Sequence, residues 1–315
     1  MSSTIQRLPR TVQPRHAIPF VYRSYFSLIR ELGAIDGLAS AIILASRHVR
    51  QEAQNSGDER AWVEAAARTH QVNTRFVDFV RFETSSTQLL LGGVYQQAEC
   101  FTDEFRRERA IMGLPLRPRR DREPRLLALL DGLPGGGAAN RVRVGEERVA
   151  LFEYYRLLRN AFAHRGIEKD RLDQAFSEAV RLRPLVSAEY GLTAPNHYDR
   201  LTPDDYLLAT RVTKYLATDL CRIAAPSTGA EIIALLRTKE QTLAMLAHNR
   251  TVEGKLTRSL RNWLRSDYFF LVEGQPEIES FVLNWIRSLP SRRQRRRNRS
   301  GNLATYVDGL DPVTA

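Results

Sequence analysis

Residues 146–166 read EERVALFEYYRLLRNAFAHRG. At about 100° of turn per residue, Leu151, Tyr155, Leu158 and Phe162 fall in one narrow stripe. That spacing predicts a helix with the stripe turned to a core. Arg156, Arg159, Asn160, Ala163 and His164 gather on a second face, away from the first. Asn160 and His164 are one turn apart and within touching distance. Arg159 stands on the same side, with small Ala163 between it and His164. Gly166 is placed to cap the helix, which puts His164 in the last turn beside an open helix end.

The same helical spacing extends outward in both directions. Phe20, Tyr22, Tyr25, Phe26, Ile29 and Leu32 form a broad apolar face, with Gly33 as its expected stop. A second helix follows over 35–51 (Leu38, Ile42, Ile43, Val49), and a third over 61–82 with Trp62, Ala66, Phe76 and Val80 inward. A fourth starts near Ser85 or Ser86 and ends near Arg109, with Leu89, Leu90, Val94, Phe101 and Phe105 as its apolar set. Residues 113–145 contain Pro115, Pro118, Pro124, Pro134 and Gly135-Gly136-Gly137, and only 125–130 scan as helical. Such a long irregular stretch is functional or disordered. Its arginines, Arg117, Arg119, Arg120, Arg122, Arg125, Arg141 and Arg143, either flank a cleft or belong to a mobile connector.

Beyond the quoted stretch, a helix over 170–183 is expected to stop at Pro184, followed by irregular chain to 203. Thr202-Pro203-Asp204-Asp205 then looks like a capped helix start, with Pro at the first position and acids in the first turn. Tyr206, Leu207, Val212, Tyr215, Leu216 and Leu220 supply that helix's apolar face. Pro226 and Gly229 mark a boundary. Three more segments, 229–248, 251–272 and 276–289, scan as helical, with Trp263, Phe269, Phe281 and Trp285 available to pack a small bundle. No strand alternation or internal repeat is visible, so the expected class is all-α.

The chain has 315 residues, 43% of them apolar, enough for a sizeable core. Lys and Arg outnumber Asp and Glu by 47 to 36, a net charge of +11. A strongly cationic chain gathers on polyanions such as nucleic acid. Two cysteines, Cys100 and Cys221, cannot build a disulfide framework or a cysteine-rich zinc site. They fit a reducing compartment. The basic start of the chain has no apolar run behind it, and no stretch has the 18 or more apolar residues of a membrane span. A cytoplasmic protein without membrane contact is expected. His16, His48, His70, His197 and His248 are scattered without ligand spacing, and no metal site or cofactor is expected.

The pairing at 159–164 suits RNA cleavage without a metal. A ribose 2′-OH attacks the adjacent phosphorus once a base removes its proton, and an imidazole, with its pKa of about 6.5, suits that task near neutral pH. A guanidinium stabilises the extra negative charge of the phosphorane through a fixed fork of donors. Asn160 is placed to orient the imidazole or to bind a phosphate oxygen. Glu99 and Asp103, one turn apart on the fourth helix, either pair with Arg159 or assist the base, or are ordinary surface acids.

Here the chain resembles the HEPN superfamily, all-helical domains named for higher eukaryotes and prokaryotes nucleotide-binding. Its ribonuclease members carry Arg, a polar residue, three further residues and His, which this chain has as Arg159-Asn160-Ala161-Phe162-Ala163-His164. The Gln96-to-Glu99 stretch on the preceding long helix and the closing helix at 204–222 add to the likeness, which covers roughly 75–225. The resemblance implies a homodimer in which two copies of the motif helix build one composite cleft. It also implies a toxin or antiviral effector, restrained by an antitoxin or linked to a defence-system partner. In one branch of the family a Tyr two residues after the His is modified by a partner enzyme; here that position is Gly166.

The expected organisation is a flexible basic arm (1–18), N-terminal helices (19–74), a HEPN-like domain (75–225) with its Arg/Gly/Pro-rich insertion (113–145), a C-terminal helical bundle (229–290) and a basic disordered tail (291–315). The expected catalytic residues are Arg159, Asn160 and His164. Arg156, Arg165, Arg292, Arg293, Arg295, Arg296 and Arg297 are expected to hold RNA. Two other readings fit the same residues: a catalytically silent helical RNA-binding or scaffold protein, and a basic helical transcription regulator.

Overall fold

The computed structural model describes residues 20–73, 79–163, 169–250 and 252–289. Every regular element among them is helical, so the protein is an all-helical bundle fold. The chain divides into two compact units, Met1–Ala225 and Pro226–Ala315. None of the described helices is long and apolar enough to cross a membrane.

The first unit is built on four helices: α1 (Arg23–Asn55), α3 (Phe79–Ile111), α6 (Glu146–Ala163) and α9 (Pro203–Ile223). α3 packs on α1, α6 and α9, and α9 also packs on α1 and α6. Between them run α2 (Glu59–Thr69), α4 (Arg125–Gly132), α5 (Gly136–Val144), α7 (Lys169–Val180) and α8 (Arg183–Tyr190). The core is rich in tyrosine: Tyr22, Tyr95, Tyr154, Tyr155 and Tyr206 are all buried beside Leu91, Phe105 and Leu129.

Helix ends inside the bundle are closed by side chains from neighbouring helices. Glu108 on α3 accepts from the backbone N–H of Arg23 and Ser24 at 3.1 and 3.2 Å and from Ser24 Oγ at 2.9 Å, at the N-terminus of α1. Those N–H groups have no partner within their own helix. At the same end of the bundle, Ala224 O ends α9 and accepts from Tyr22 Oη at 2.5 Å and from the buried Arg109 Nη1 at 3.0 Å. A cation at a helix C-terminus meets the negative end of its dipole. Asp36 of α1 takes Tyr206 Oη at 2.5 Å and Lys214 Nζ at 2.7 Å from α9.

Several sequence expectations change. Gly33 does not end a helix; α1 runs unbroken for 33 residues. A helical glycine costs about 1 kcal/mol against alanine, less than packing against α3 returns. At Gly93 of α3 a Cβ would lie 3.2 Å from Ile35 Cδ1, so the glycine admits that side chain. The helix expected over 61–82 instead stops at Thr69, and Gln71 turns to φ 56°. Phe76 and the side chain of Val80 lie outside the described residues. Leu89 is 79% exposed, one position off the buried row of Leu90, Val94, Phe101 and Phe105.

The stretch 113–145 is more helical than its Pro and Gly content suggests. Beyond α4 it forms α5, which begins within the glycine run because Gly135 turns at φ 99°. Buried Asn140 locks the corner, donating from Nδ2 to Leu130 O at 2.9 Å and Leu133 O at 3.2 Å. Pro184, expected to stop one helix, sits in the first turn of the next, α8. His197 lies tilted against Tyr198 and edge-on to Phe176, and pairs with Asp199 at 2.6 Å.

The second unit holds α10 (Gly229–Arg237), α11 (Glu240–His248), α12 (Glu253–Tyr268), a 3-10 turn at Val272–Gly274 and α13 (Pro276–Ser288). The single helix expected over 229–248 is therefore two. Of the aromatics expected to pack this unit, Trp263 is buried, whereas Trp285 is half-buried beneath the Arg237 guanidinium and Phe281 is 55% exposed. Arg261 pairs with Glu279 through two hydrogen bonds, at 2.6 and 2.8 Å.

Candidate active site

α6 is set in place by its tyrosines. Asp205, fully buried in the first turn of α9, accepts from Tyr155 Oη at 2.8 Å. The same carboxylate accepts from Asn196 N at 2.8 Å, Asn196 Nδ2 at 2.9 Å and Thr202 N at 2.9 Å. The last of these is the acidic half of a capping box, so one side chain starts α9 and anchors α6. Tyr154 Oη reaches Asn196 O, and Tyr95 Oη on α3 reaches Phe152 O at 2.7 Å. Burial pushes the Tyr95, Tyr154 and Tyr155 phenols well above their ordinary range, so each keeps its proton and donates.

Leu151, Tyr155 and Leu158 of the predicted stripe are buried, but Phe162 is 41% exposed. The stripe assumes one partner surface, whereas α6 packs against α3, α5, α7 and α9. Val149, Phe152, Tyr154 and Leu157 are therefore buried as well, and burial ends at Leu158, before the last described turn.

The polar face begins where that enclosure ends. Arg159 Nη1 donates to Asn160 Oδ1 at 3.0 Å, and its Nη2 lies 3.9 Å from Glu99 Oε2 on α3. The same Glu99 oxygen is 4.0 Å from Arg125 Nη2, at the start of α4, and Arg125 Nη1 bonds Asp103. The result is a row of alternating charge, Arg159–Glu99–Arg125–Asp103, carried by three helices. Of the roles open to Glu99, the structure places it against Arg159, while Asp103 turns to Arg125. Asn160 orients the guanidinium of Arg159, and its amide N–H groups remain donors by chemistry.

Arg156 sits one turn earlier. Its Nε and Nη2 hold Glu153 Oε2 at 2.8 and 2.7 Å, and its side chain is 17% exposed. That local pair fixes Arg156 along the helix and leaves little of it to the surface. His164 and Arg165 lie outside the described residues, as do Arg292, Arg293, Arg295, Arg296 and Arg297. Arg125 was expected only as one of seven arginines that either flank a cleft or belong to a connector, and the structure sets it beside Glu99 and Asp103. Its position depends on α4 folding back along α3.

Arg159 is about one-fifth exposed and Glu99 about one-third. A contact of 3.9 Å at that exposure is weak, so Glu99 orients Arg159 without locking it away from an incoming anion. Among the described residues, no three His, Cys, Asp or Glu side chains come together to hold a metal ion. No protein-family model, curated protein or solved structure matches this chain.

Proposed function

We propose that the protein is a metal-independent endoribonuclease of the HEPN kind, with Arg159, Asn160 and His164 as its working residues. The observation that carries this reading is the Arg159 guanidinium, five residues before His164 in sequence, held by Asn160 and faced by Glu99 at the rim of the bundle. Arg109, by contrast, is buried and spends its Nη1 on Tyr22 Oη and on the end of α9.

In the proposed reaction His164 takes the proton of a ribose 2′-OH. The O2′–P bond forms while the P–O5′ bond breaks, and the departing O5′ gains a proton from water or from the second histidine of a dimer. The products are a 2′,3′-cyclic phosphate and a 5′-OH. Arg159 exchanges its loose contact with Glu99 for the phosphorane oxygens, where charge develops in the transition state. Asn160 keeps the guanidinium aimed. Arg165 and the arginines from Arg292 to Arg297 supply phosphate contacts. Two copies meeting through the polar face of α6 complete the cleft, and the proposed role is that of a toxin or antiviral effector under the control of a partner protein.

Incubating the protein with total RNA in EDTA and mapping the ends tests the reading. The expected result is new 5′-OH ends and cyclic phosphates. A strict requirement for Mg²⁺ or Mn²⁺, or the absence of cleavage, would overturn it.

A further inference from the structure

We infer that Arg119, Arg120 and Arg122 form a braced phosphate-holding loop beside the Arg159 cluster, gripping the backbone of the RNA strand a few nucleotides from the cleaved bond. The inference rests on the reading of Arg159 as part of an RNA-cleaving site. It adds the surface that holds the strand there.

The loop joins α3 to α4, and its backbone is held at many points. Arg106 on α3 donates to Arg117 O. Arg117 grips Glu123 through both terminal nitrogens, one bond being 2.9 Å, and its Nη2 also reaches Asp131 Oδ2 at 3.2 Å. Arg120 N donates to Glu123 Oε2 at 2.9 Å, Glu123 N to Arg120 O at 3.2 Å, and Arg119 Nη1 to Glu123 O at 3.3 Å. Arg122 lies at φ 57°, a backbone conformation that a residue with a Cβ keeps only when its surroundings hold it.

The charge of Arg117 is spent inside this brace; Arg119 gives one N–H to the Glu123 carbonyl and keeps its other donors outward with those of Arg120 and Arg122. All three residues are exposed; the Arg122 side chain is 94% exposed and lies 3.9 Å from an equally exposed Asp121. A braced loop presents these groups with less chain entropy to lose on binding.

Position and charge balance connect the loop to the site. Arg117 lies at Arg106 and Arg125 at Glu99 and Asp103, so the loop runs back along α3. The stretch of α3 from Glu99 to Arg106 covers about 10 Å, the span of a few nucleotides of one strand. The cluster itself is balanced: Arg159 and Arg125 face Glu99 and Asp103. It has little net pull on a polyanion, and the neighbouring loop supplies that pull.

The test is binding of a 2′-O-methyl RNA of about 12 nucleotides, which lacks the attacking hydroxyl, by fluorescence anisotropy between about 50 and 300 mM KCl. Full-length Arg119→Ala/Arg120→Ala/Arg122→Ala should lower the slope of log K against log salt by about 2, at about 0.7 per lost phosphate contact. The triple Lys variant should keep the slope. Arg122→Glu alone, a check should the triple Ala variant fail to fold, should lower it by at least about 0.7. An unchanged slope in the Ala and Glu variants, or a wild-type protein without salt-dependent RNA binding, overturns the inference and leaves the loop to an acidic protein partner. Cleavage of unmodified RNA is scored separately. A lowered slope without cleavage upholds the loop and sinks the nuclease reading, and cleavage with an unchanged slope does the reverse.

Discussion

Replacing Asp205 with alanine strikes the point where α6 and α9 are joined. The carboxylate has no exposed surface and accepts from Tyr155 Oη, Asn196 N, Asn196 Nδ2 and Thr202 N, all between 2.8 and 2.9 Å, with Thr202 Oγ1 at 3.3 Å. Hydrogen bonds to a charged group contribute about 1.5–3 kcal/mol each and do not add. Removing their shared acceptor leaves the fully buried Tyr155 hydroxyl and the donors of Asn196 and Thr202 unpaired. A total of about 3–5 kcal/mol follows, the usual cost of breaking a buried charged hub. In a unit of this size that is a fall of roughly 6–20 °C in Tm. Asp205→Asn keeps one acceptor oxygen and should fall between Ala and wild type. Asp204→Ala is the control: its carboxylate serves exposed Thr193, and its loss should cost about 1 kcal/mol or less. Urea and thermal melts followed by far-UV circular dichroism read the effect. An Asp205→Ala protein within about 1 kcal/mol of wild type at unchanged m would refute the hub.

Leu158→Ala should cost about 2–5 kcal/mol, since the side chain is fully buried one residue before Arg159; a loss below about 1 kcal/mol in urea melts would mean the α6 core face is misassigned. Burial pushes the Cys221 thiol up to about 12, whereas Cys100 is exposed. A thiol reagent at pH 8 should therefore modify one cysteine per native chain and both after unfolding, and equal native rates would contradict that burial. Hydrogen bonds from Arg117 and the Arg120 backbone hold the Glu123 carboxyl at about 2 instead of 4.5. A depressed carboxylate contributes above its unfolded value and loses that contribution as pH falls toward the folded one. The loop brace should thus persist through neutral and mildly acidic pH, and a carboxyl NMR titration of Glu123 with a midpoint near 4.5 would count against it.

Local pattern made the helices readable, and tertiary packing made their ends and depths unreadable. Periodicity placed Leu151, Tyr155 and Leu158 in the core because one face of α6 meets α9 whatever else surrounds it. It misjudged Phe162, because enclosure by α3, α5, α7 and α9 stops before the last described turn. Glycine and proline misled in opposite ways. Gly33 sits inside α1 because packing outweighs its propensity, and Pro184 opens α8 because the first turn of a helix needs no N–H there. In the candidate site, the Arg159–Asn160 pair was visible as neighbours on one face. Glu99 was visible as a partner, but Arg125 could not be singled out from the other arginines of 113–145, because nothing in their spacing reveals that α4 returns along α3.

In the proposed reaction Arg159 and His164 perform the chemistry. Single-turnover cleavage of a defined RNA in EDTA, by wild type, Arg159→Ala and His164→Ala at equal folded concentration, tests it most directly. Wild type should leave 2′,3′-cyclic phosphate ends, and each variant should be slower by roughly 10²–10⁴-fold, with melting curves and RNA affinity close to wild type. Equal rates in all three proteins, or loss of activity only in step with loss of folding, would contradict it.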